Sequence, residues 1–222
     1  MIKSNQELHN SIDQCISELS EKHRMHRKIK FLLDIRGLLV INKLKGSYLE
    51  FGVFRGEMMY AAAQILKGNL DHLFGFDTFQ GLPEPTGTDS EQFVFEQTGF
   101  MSCPEKDVSD LLEKSPHTLV KGDFREPSVI SEITKSLSGH KASVVSIDCN
   151  WPSSVLAALK TTAPFLVNGS IVYFDDYFTA TRSGDYMRPI MEEISRHCRI
   201  KFHEFMTYPP CARAFIIECD SK

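Results

Sequence analysis

The sequence predicts a doubly wound α/β fold: a seven-stranded, mostly parallel sheet with an antiparallel C-terminal hairpin, preceded by helices. Three observations carry that prediction. From about residue 45 onward, short apolar runs alternate with stretches of helical periodicity, which is the pattern of βαβ units. Several of those runs stop on a glycine or an acid, as strands do where they open onto a ligand crevice. The last two runs are joined only by "TYPPC", too short for a parallel crossover, so they must pair antiparallel.

Taken in order, the first forty-odd residues are helical in pattern. "IKFLLDIRGLLVI" places apolar residues at helical spacing, weakened by Gly37. This sets residues 1–44 apart as an N-terminal helical extension and leaves 45–222 as the α/β domain. Strands are expected at 47–52, 72–77, 117–121, 142–148, 169–175, 199–206 and 212–219. Helices are expected between them at 56–67, 107–114, 127–137, 152–162 and 184–197. One connection is long, from Gly81 to Lys106, and it contains Phe93, Phe95 and Phe100. Such loops are usually lids or binding loops, and aromatics suit a lid that packs over something.

Composition narrows the class. The 222 residues are 42% hydrophobic and 24% charged, ordinary for a soluble globular chain with one continuous core. A net charge of −4 creates no general attraction for nucleic acid or an anionic membrane. "KHRMHRKIK", Lys22 to Lys30, is locally basic. With Glu7, Asp13, Glu18 and Glu21 ahead of it, it reads as a solvated, dipole-matched helix face in preference to an anion-binding patch. The start of the chain lacks the apolar core of a signal peptide, and no apolar run is long enough to span a bilayer. Six cysteines at 15, 103, 149, 198, 211 and 219 form neither CxxC nor metal spacing, so reduced thiols in a cytoplasmic protein are expected.

The strand ends carry the chemistry. "YLEFGVFRGEMMY" puts Glu50, Gly52 and Gly56 between a strand and a helix, where glycines allow a tight turn and the helix N-terminus offers amide donors. The spacing is not the GxGxxG of dinucleotide binders, because residue 54 is Phe. "LFGFDTFQGLP" ends the second strand on Asp77, about twenty residues further, where an acid can bind ribose hydroxyls or else shape a turn. "KGDF" follows the third strand with Gly122 and Asp123. Together these three ends describe a nucleoside pocket.

"LEFGVFRG", "FGFDTFQGLPEP", "KGDF", "SID" and "NGSIVYFDDY" occur in that order. In these motifs, from about Lys45 to Cys219, the chain resembles the macrocin O-methyltransferase family of class I S-adenosylmethionine-dependent methyltransferases. The resemblance implies a Rossmann-like methyltransferase domain with an S-adenosylmethionine site. Glu50, Gly52, Val53 and Gly56 would surround the methionine part, with Arg55 at its carboxylate. Asp77, with Thr78 beside it, would bind the ribose, and Gly122, Asp123 and Phe124 would flank the adenine.

Asp148 ends the fourth strand, and Asp175 and Asp176 end the fifth. Three converging carboxylates repel one another, and a hard divalent cation relieves that repulsion. All-oxygen ligation points to Mg²⁺, Ca²⁺ or Mn²⁺ rather than zinc. The resemblance likewise implies a divalent metal, Mg²⁺ first, on Asp148, Asp175 and Asp176; the competing reading makes the Asp pair turn residues. One departure stands out. Family members that methylate sugar hydroxyls usually carry an acid two residues after the first metal ligand, acting as general base, and here that position is Asn150. A neutral amide cannot take the proton. Trp151 and Pro152 also replace the usual Leu-Tyr, and Trp151 reads equally as a stacking platform or a half-buried core residue.

The expected activity is therefore S-adenosylmethionine-dependent, metal-assisted O-methylation of a small molecule, a sugar or glycosylated natural product, with Asp148 and Asn150 at the reacting centre. A non-catalytic S-adenosylmethionine binder and a different nucleotide-using enzyme on the same sheet are the alternatives. His117, Tyr177, Asp185 and Tyr186 are further polar candidates for the pocket. The apolar face of "FLLDIRGLLVI" needs a partner, either its own domain or a second subunit. The resemblance favours a homodimer or higher homo-oligomer.

Overall fold

A computed structural model describes residues 24–87, 89, 98–178 and 187–220. Helix α1 (Arg24–Ile41) leads into strand β1 (Gly46–Phe51), then α2 (Glu57–Ile65), β2 (Leu70–Asp77), α3 (Glu105–Leu111) and β3 (His117–Lys121). The second half runs α4 (Pro127–Ser136), β4 (Ala142–Ile147), α5 (Pro152–Thr162), β5 (Leu166–Phe174), α6 (Met187–Cys198), β6 (Ile200–Tyr208) and β7 (Ala212–Cys219). The seven strands form one sheet in the order β3-β2-β1-β4-β5-β7-β6. Strands β1 to β5 pair in parallel, whereas β7 runs antiparallel to both β5 and β6. The predicted fold class is thus the observed one. Segments 1–23, 90–97 and 179–186 lie outside the described residues, and with them Phe93, Phe95, Asp185 and Tyr186.

Period-two alternation along buried strands sorts the core into two layers. Leu49, Phe51, Val145, Ile147 and Phe174 point to one face and pack against α4, α5 and α6 through Ile133, Val155, Leu159 and Ile194. Tyr48, Val144 and Tyr173 point to the other face and pack against α1 and α2 through Phe31, Leu32, Ile35 and Met59. Helix α1 is therefore built into the core of the sheet domain, and the apolar face that sought a partner finds it within the chain. Burying a leucine or phenylalanine side chain contributes about 1.5–3 kcal/mol, so this stripe anchors the helix firmly.

The same alternation decides where the acids go. Glu50 lies two residues past Tyr48, and Asp175 two past Tyr173. Continuing β4 through Val144 and Ser146 puts Asp148 on that face as well. Glu50 pairs in register with Ser146, and Ser146 with Tyr173, so the ends of β1, β4 and β5 lie level. The C-terminal ends of these three strands thus direct acids toward the α1 side of the sheet.

The close approach of β1 to β4 requires a glycine. Gly52 has φ +87°, and a Cβ there would lie 2.1 Å from the carbonyl oxygen of Asp148. Any side chain would drive the two strand ends apart, just where the strand order reverses and an α/β sheet opens its crevice.

Candidate functional site

One cleft lies across these strand ends. Glu50, Gly52, Val53 and Arg55 line it from β1 and its loop, and Asp77 and Thr78 from β2. Asp123 and Phe124 line it from β3, Asp148 and Asn150 from β4, and Asp175 and Asp176 from β5. Of the residues expected at the site, Gly56 and Gly122 stand behind the cleft wall. Gly56, at φ +73°, begins α2, and Gly122 borders an adjoining hollow beside Thr78 and Asp123. His117 is not part of the cleft: it sits at the start of β3, at the far end of the sheet, beside Ser109. Tyr177 packs into the core and faces a different hollow, where Arg213 lies 4.9 Å from its ring.

Asp77 is engaged by the backbone around it. Its Oδ2 accepts the Val53 and Phe54 amides at 2.7 and 2.9 Å, and its Oδ1 accepts the Phe79 amide at 2.7 Å. The carboxylate thereby fixes the β1–α2 loop, whose Phe54 has a left-handed backbone at φ 51°. The Thr78 hydroxyl donates to the Gly81 carbonyl at 2.6 Å, closing the next turn. Arg55 is exposed at the rim, its guanidinium 5.0 Å from the Phe54 ring.

The long connection is pinned at its base. The Leu82 amide donates to the Phe100 carbonyl and the Gly99 amide to the Leu82 carbonyl, both at 2.9 Å. The Trp151 indole donates to the Pro83 carbonyl at 2.9 Å and the residue is only 1% exposed. Of the two readings of Trp151, the structure supports a buried residue, one that anchors the loop to the cleft. Asp89, also buried, accepts the Ser153 amide at the start of α5 and the Ser153 hydroxyl, at 3.0 and 2.6 Å. Arg125 completes the network by bonding Asp123, the Glu84 carbonyl and the Ser153 hydroxyl. Thr86, three residues earlier, bonds Asp89 through its amide and hydroxyl, but the tie to Ser153 spans 64 positions and has no local signature.

Asp148, Asp175 and Asp176 converge as expected, with carboxylate oxygens within 4.8 Å of one another. Their counter-charge comes from the protein. Arg27 grips Asp175 with Nε on Oδ1 at 2.9 Å and Nη2 on Oδ2 at 2.6 Å. Lys28, only 4% exposed, donates to Asp148 Oδ2 and lies 3.4 Å from Asp175 Oδ2. The expectation of a solvated basic face is corrected here. Lys30 does pair outward with Asp34, but Arg27 and Lys28 turn inward to the acids. A signal was present in the sequence. Met25, Lys28, Leu32, Ile35 and Leu39 share one stripe of α1, and a lysine inside an apolar stripe needs a buried partner.

The charges set one another. Burial alone would discharge Lys28, but Asp148 and Asp175 outweigh it and hold the ammonium protonated above the ordinary lysine range. Burial likewise works against an ionised Asp175, yet Lys28 and Arg27 prevail and bring it down to about 2. For Asp148 burial wins over Lys28 and pushes the carboxyl up to about 7. Glu50, fully enclosed and bonded by the Tyr48 hydroxyl, is raised by burial to about 8.

A divalent metal does not fit this arrangement. A carboxylate offers about four lone-pair sites. Asp175 accepts two bonds from Arg27 and one from the Tyr173 hydroxyl at 2.7 Å, and the Lys28 ammonium stands 3.4 Å from its Oδ2 as an ion-pair partner. The Lys28 ammonium lies against Asp148 and beside Asp175, among the oxygens such an ion would need, and would repel a second cation there.

Comparison with known proteins places the cleft in context. A family model described as a methyltransferase domain matches residues 49–177. No sequence among the curated proteins matches the chain. Among solved structures, the chain is similar to the O-methyltransferase NovP, at 16% identity and a TM-score of 0.66 over 86% of this chain and 79% of that one. It is similar to CalS11, a calicheamicin methyltransferase, at 19% identity and a TM-score of 0.66 over 97% and 94% of the two chains. Cofactor-bound Rv0187 from MTB aligns at 12% identity and a TM-score of 0.55 over 99% and 93%. At these identities the likeness establishes the fold. Among the described residues no helix is long and apolar enough to cross a membrane.

Proposed function

The chain belongs to the methyltransferase-domain family, and from that premise we propose that it transfers the methyl group of S-adenosylmethionine to a hydroxyl of a small molecule. A sugar or glycosylated natural product is the acceptor class that fits best, which makes it an O-methyltransferase of the macrocin type. The observation that carries this reading is one cleft holding the Asp77 end and the Asp148–Asp175–Asp176 end side by side. The methionine end of the donor over β1 then lies beside the acceptor oxygen over β4, its neighbour in the sheet, and holding two reactants in register removes much of the entropic barrier. The motif resemblance to sugar-modifying enzymes supports the acceptor class, as does the likeness to the calicheamicin methyltransferase CalS11.

In the proposed complex Asp77 and Thr78 meet the ribose, Asp123 and Phe124 border the adenine with Gly122 behind them, and Glu50 to Gly56 enclose the methionine. The acceptor oxygen attacks the sulfonium methyl carbon. The carbon–sulfur bond breaks, its electron pair returns to sulfur, and S-adenosylhomocysteine leaves. The hydroxyl proton needs an acceptor, and Asn150 cannot provide one. Asp148, on the cleft wall two residues earlier, takes that role, while the Asn150 amide orients the substrate by hydrogen bonding.

The test is transfer of labelled methyl from S-adenosylmethionine to a panel of nucleotide sugars and glycosides. Asp148→Asn should abolish transfer and leave S-adenosylhomocysteine binding intact. Cofactor binding without transfer to any hydroxyl, even after Asn150→Asp, would replace this reading with that of a non-catalytic binder.

A further inference from the structure

We propose that Lys28 is the resident cation of the acidic cluster, a side-chain ammonium standing in the place of a divalent ion, so that this cleft works without metal. The part concerning catalysis rests on the methyltransferase reading above; the part concerning metal does not. Lys28 arrives on α1, between Met25 and Leu32 of a buried stripe, so its position is set by core packing of the helix. Its Nζ lies against Asp148 Oδ2 and 3.4 Å from Asp175 Oδ2, among the oxygens a metal would need. Arg27 takes both oxygens of Asp175 in bidentate fashion, and the Tyr173 hydroxyl adds a further bond to one of them. Both Asp175 oxygens are thus engaged by the protein. Arg27 and Lys28 supply to the acidic cluster the positive charge that a metal ion would otherwise bring.

The ammonium also has the geometry for the acceptor. It carries three N–H donors, one of which bonds Asp148. Lys28 lines the cleft together with Asp148 and Asn150, so a further donor can reach an acceptor oxygen there. A fixed cation aimed at the oxygen stabilises negative charge as it develops during attack, with no ion to be loaded or lost. This role matches the change at position 150, because both depart from the metal-plus-acid pattern of the sequence motifs.

Titration of Mn²⁺ into the full-length protein, followed by electron paramagnetic resonance and calorimetry, tests the proposal without any methyl acceptor. Failure to find an acceptor therefore leaves the result intact. Wild type should show no saturable Mn²⁺ binding into the millimolar range, with or without S-adenosylhomocysteine. Lys28→Met should gain affinity by about tenfold or more, and Lys28→Arg, which restores the charge, should lose that gain. Micromolar Mn²⁺ binding by wild type, alone or once S-adenosylhomocysteine is bound, would overturn the proposal. Because that arm uses unaltered protein, it remains decisive even if Lys28→Met fails to fold.

Discussion

Asp77 at the end of β2 holds the backbone of Val53 in the loop after β1, its Oδ2 2.7 Å from the Val53 amide nitrogen. The acid expected to bind ribose is thus also the clamp that shapes the loop beneath it. Asp77→Ala should lose both functions together. Charge-assisted hydrogen bonds of this type contribute about 1.5–3 kcal/mol, and a loss of that size is expected in S-adenosylhomocysteine affinity. Thermal denaturation should fall in parallel. An unchanged dissociation constant would remove Asp77 from the site.

The ion pair between Lys28 and Asp148 joins α1 to β4 and is largely enclosed. Removing one partner of a buried pair leaves the other uncompensated, typically at about 3–5 kcal/mol. Lys28→Met should destabilise to that extent in urea unfolding, and adding Asp148→Asn should recover part of the loss. Strict additivity of the two substitutions would show that the charges do not interact.

Glu50 makes stability fall with rising pH. Burial raises its pKa from 4.5 to about 8, partly offset by the Tyr48 hydroxyl and Lys28. Between those values the unfolded chain releases a proton that the folded one keeps, so the unfolded state binds fewer protons and stability declines. Above about pH 8 both states are ionised and the effect levels off. Glu50→Gln lacks this dependence, so its melting temperature relative to wild type should climb from pH 4.5 to 8. A gap that stays constant across that window would contradict the burial argument.

Arg125 ties the long connection to the cleft through the Glu84 carbonyl, at 2.8 Å, and Asp123, at 2.7 Å. Arg125→Ala should free the segment between Glu84 and Lys106 while leaving the sheet intact. Limited proteolysis should then cut there roughly tenfold faster, the factor that about 1.4 kcal/mol of lost anchoring produces. Unaltered cleavage would mean that Asp89 and Trp151 suffice.

Much of this molecule is legible in the sequence because the sheet is buried on both faces. Apolar runs bounded by glycines and acids located β3 at 117–121, β7 at 212–219 and α5 at 152–162 to the residue. Strand β5 starts three residues earlier than expected, at Leu166, because the polar "NGS" within it reads as a turn. The strand-end acids were found because each follows a recognisable strand. Lys28 is harder to read, because the charges around it suggest a solvated helix face, whereas its position in the apolar stripe buries it. Asp89 was out of reach, since its role depends on contacts with Ser153 and Arg125 that no local pattern encodes.

The measurement that bears most directly on the central claim is calorimetric titration of wild-type protein with S-adenosylhomocysteine, with NAD as the control nucleotide. Saturable binding of one S-adenosylhomocysteine per chain, competed by S-adenosylmethionine, is expected, with no appreciable heat from NAD. Binding of NAD in preference, or no binding of either adenosyl ligand to folded protein, would contradict that claim.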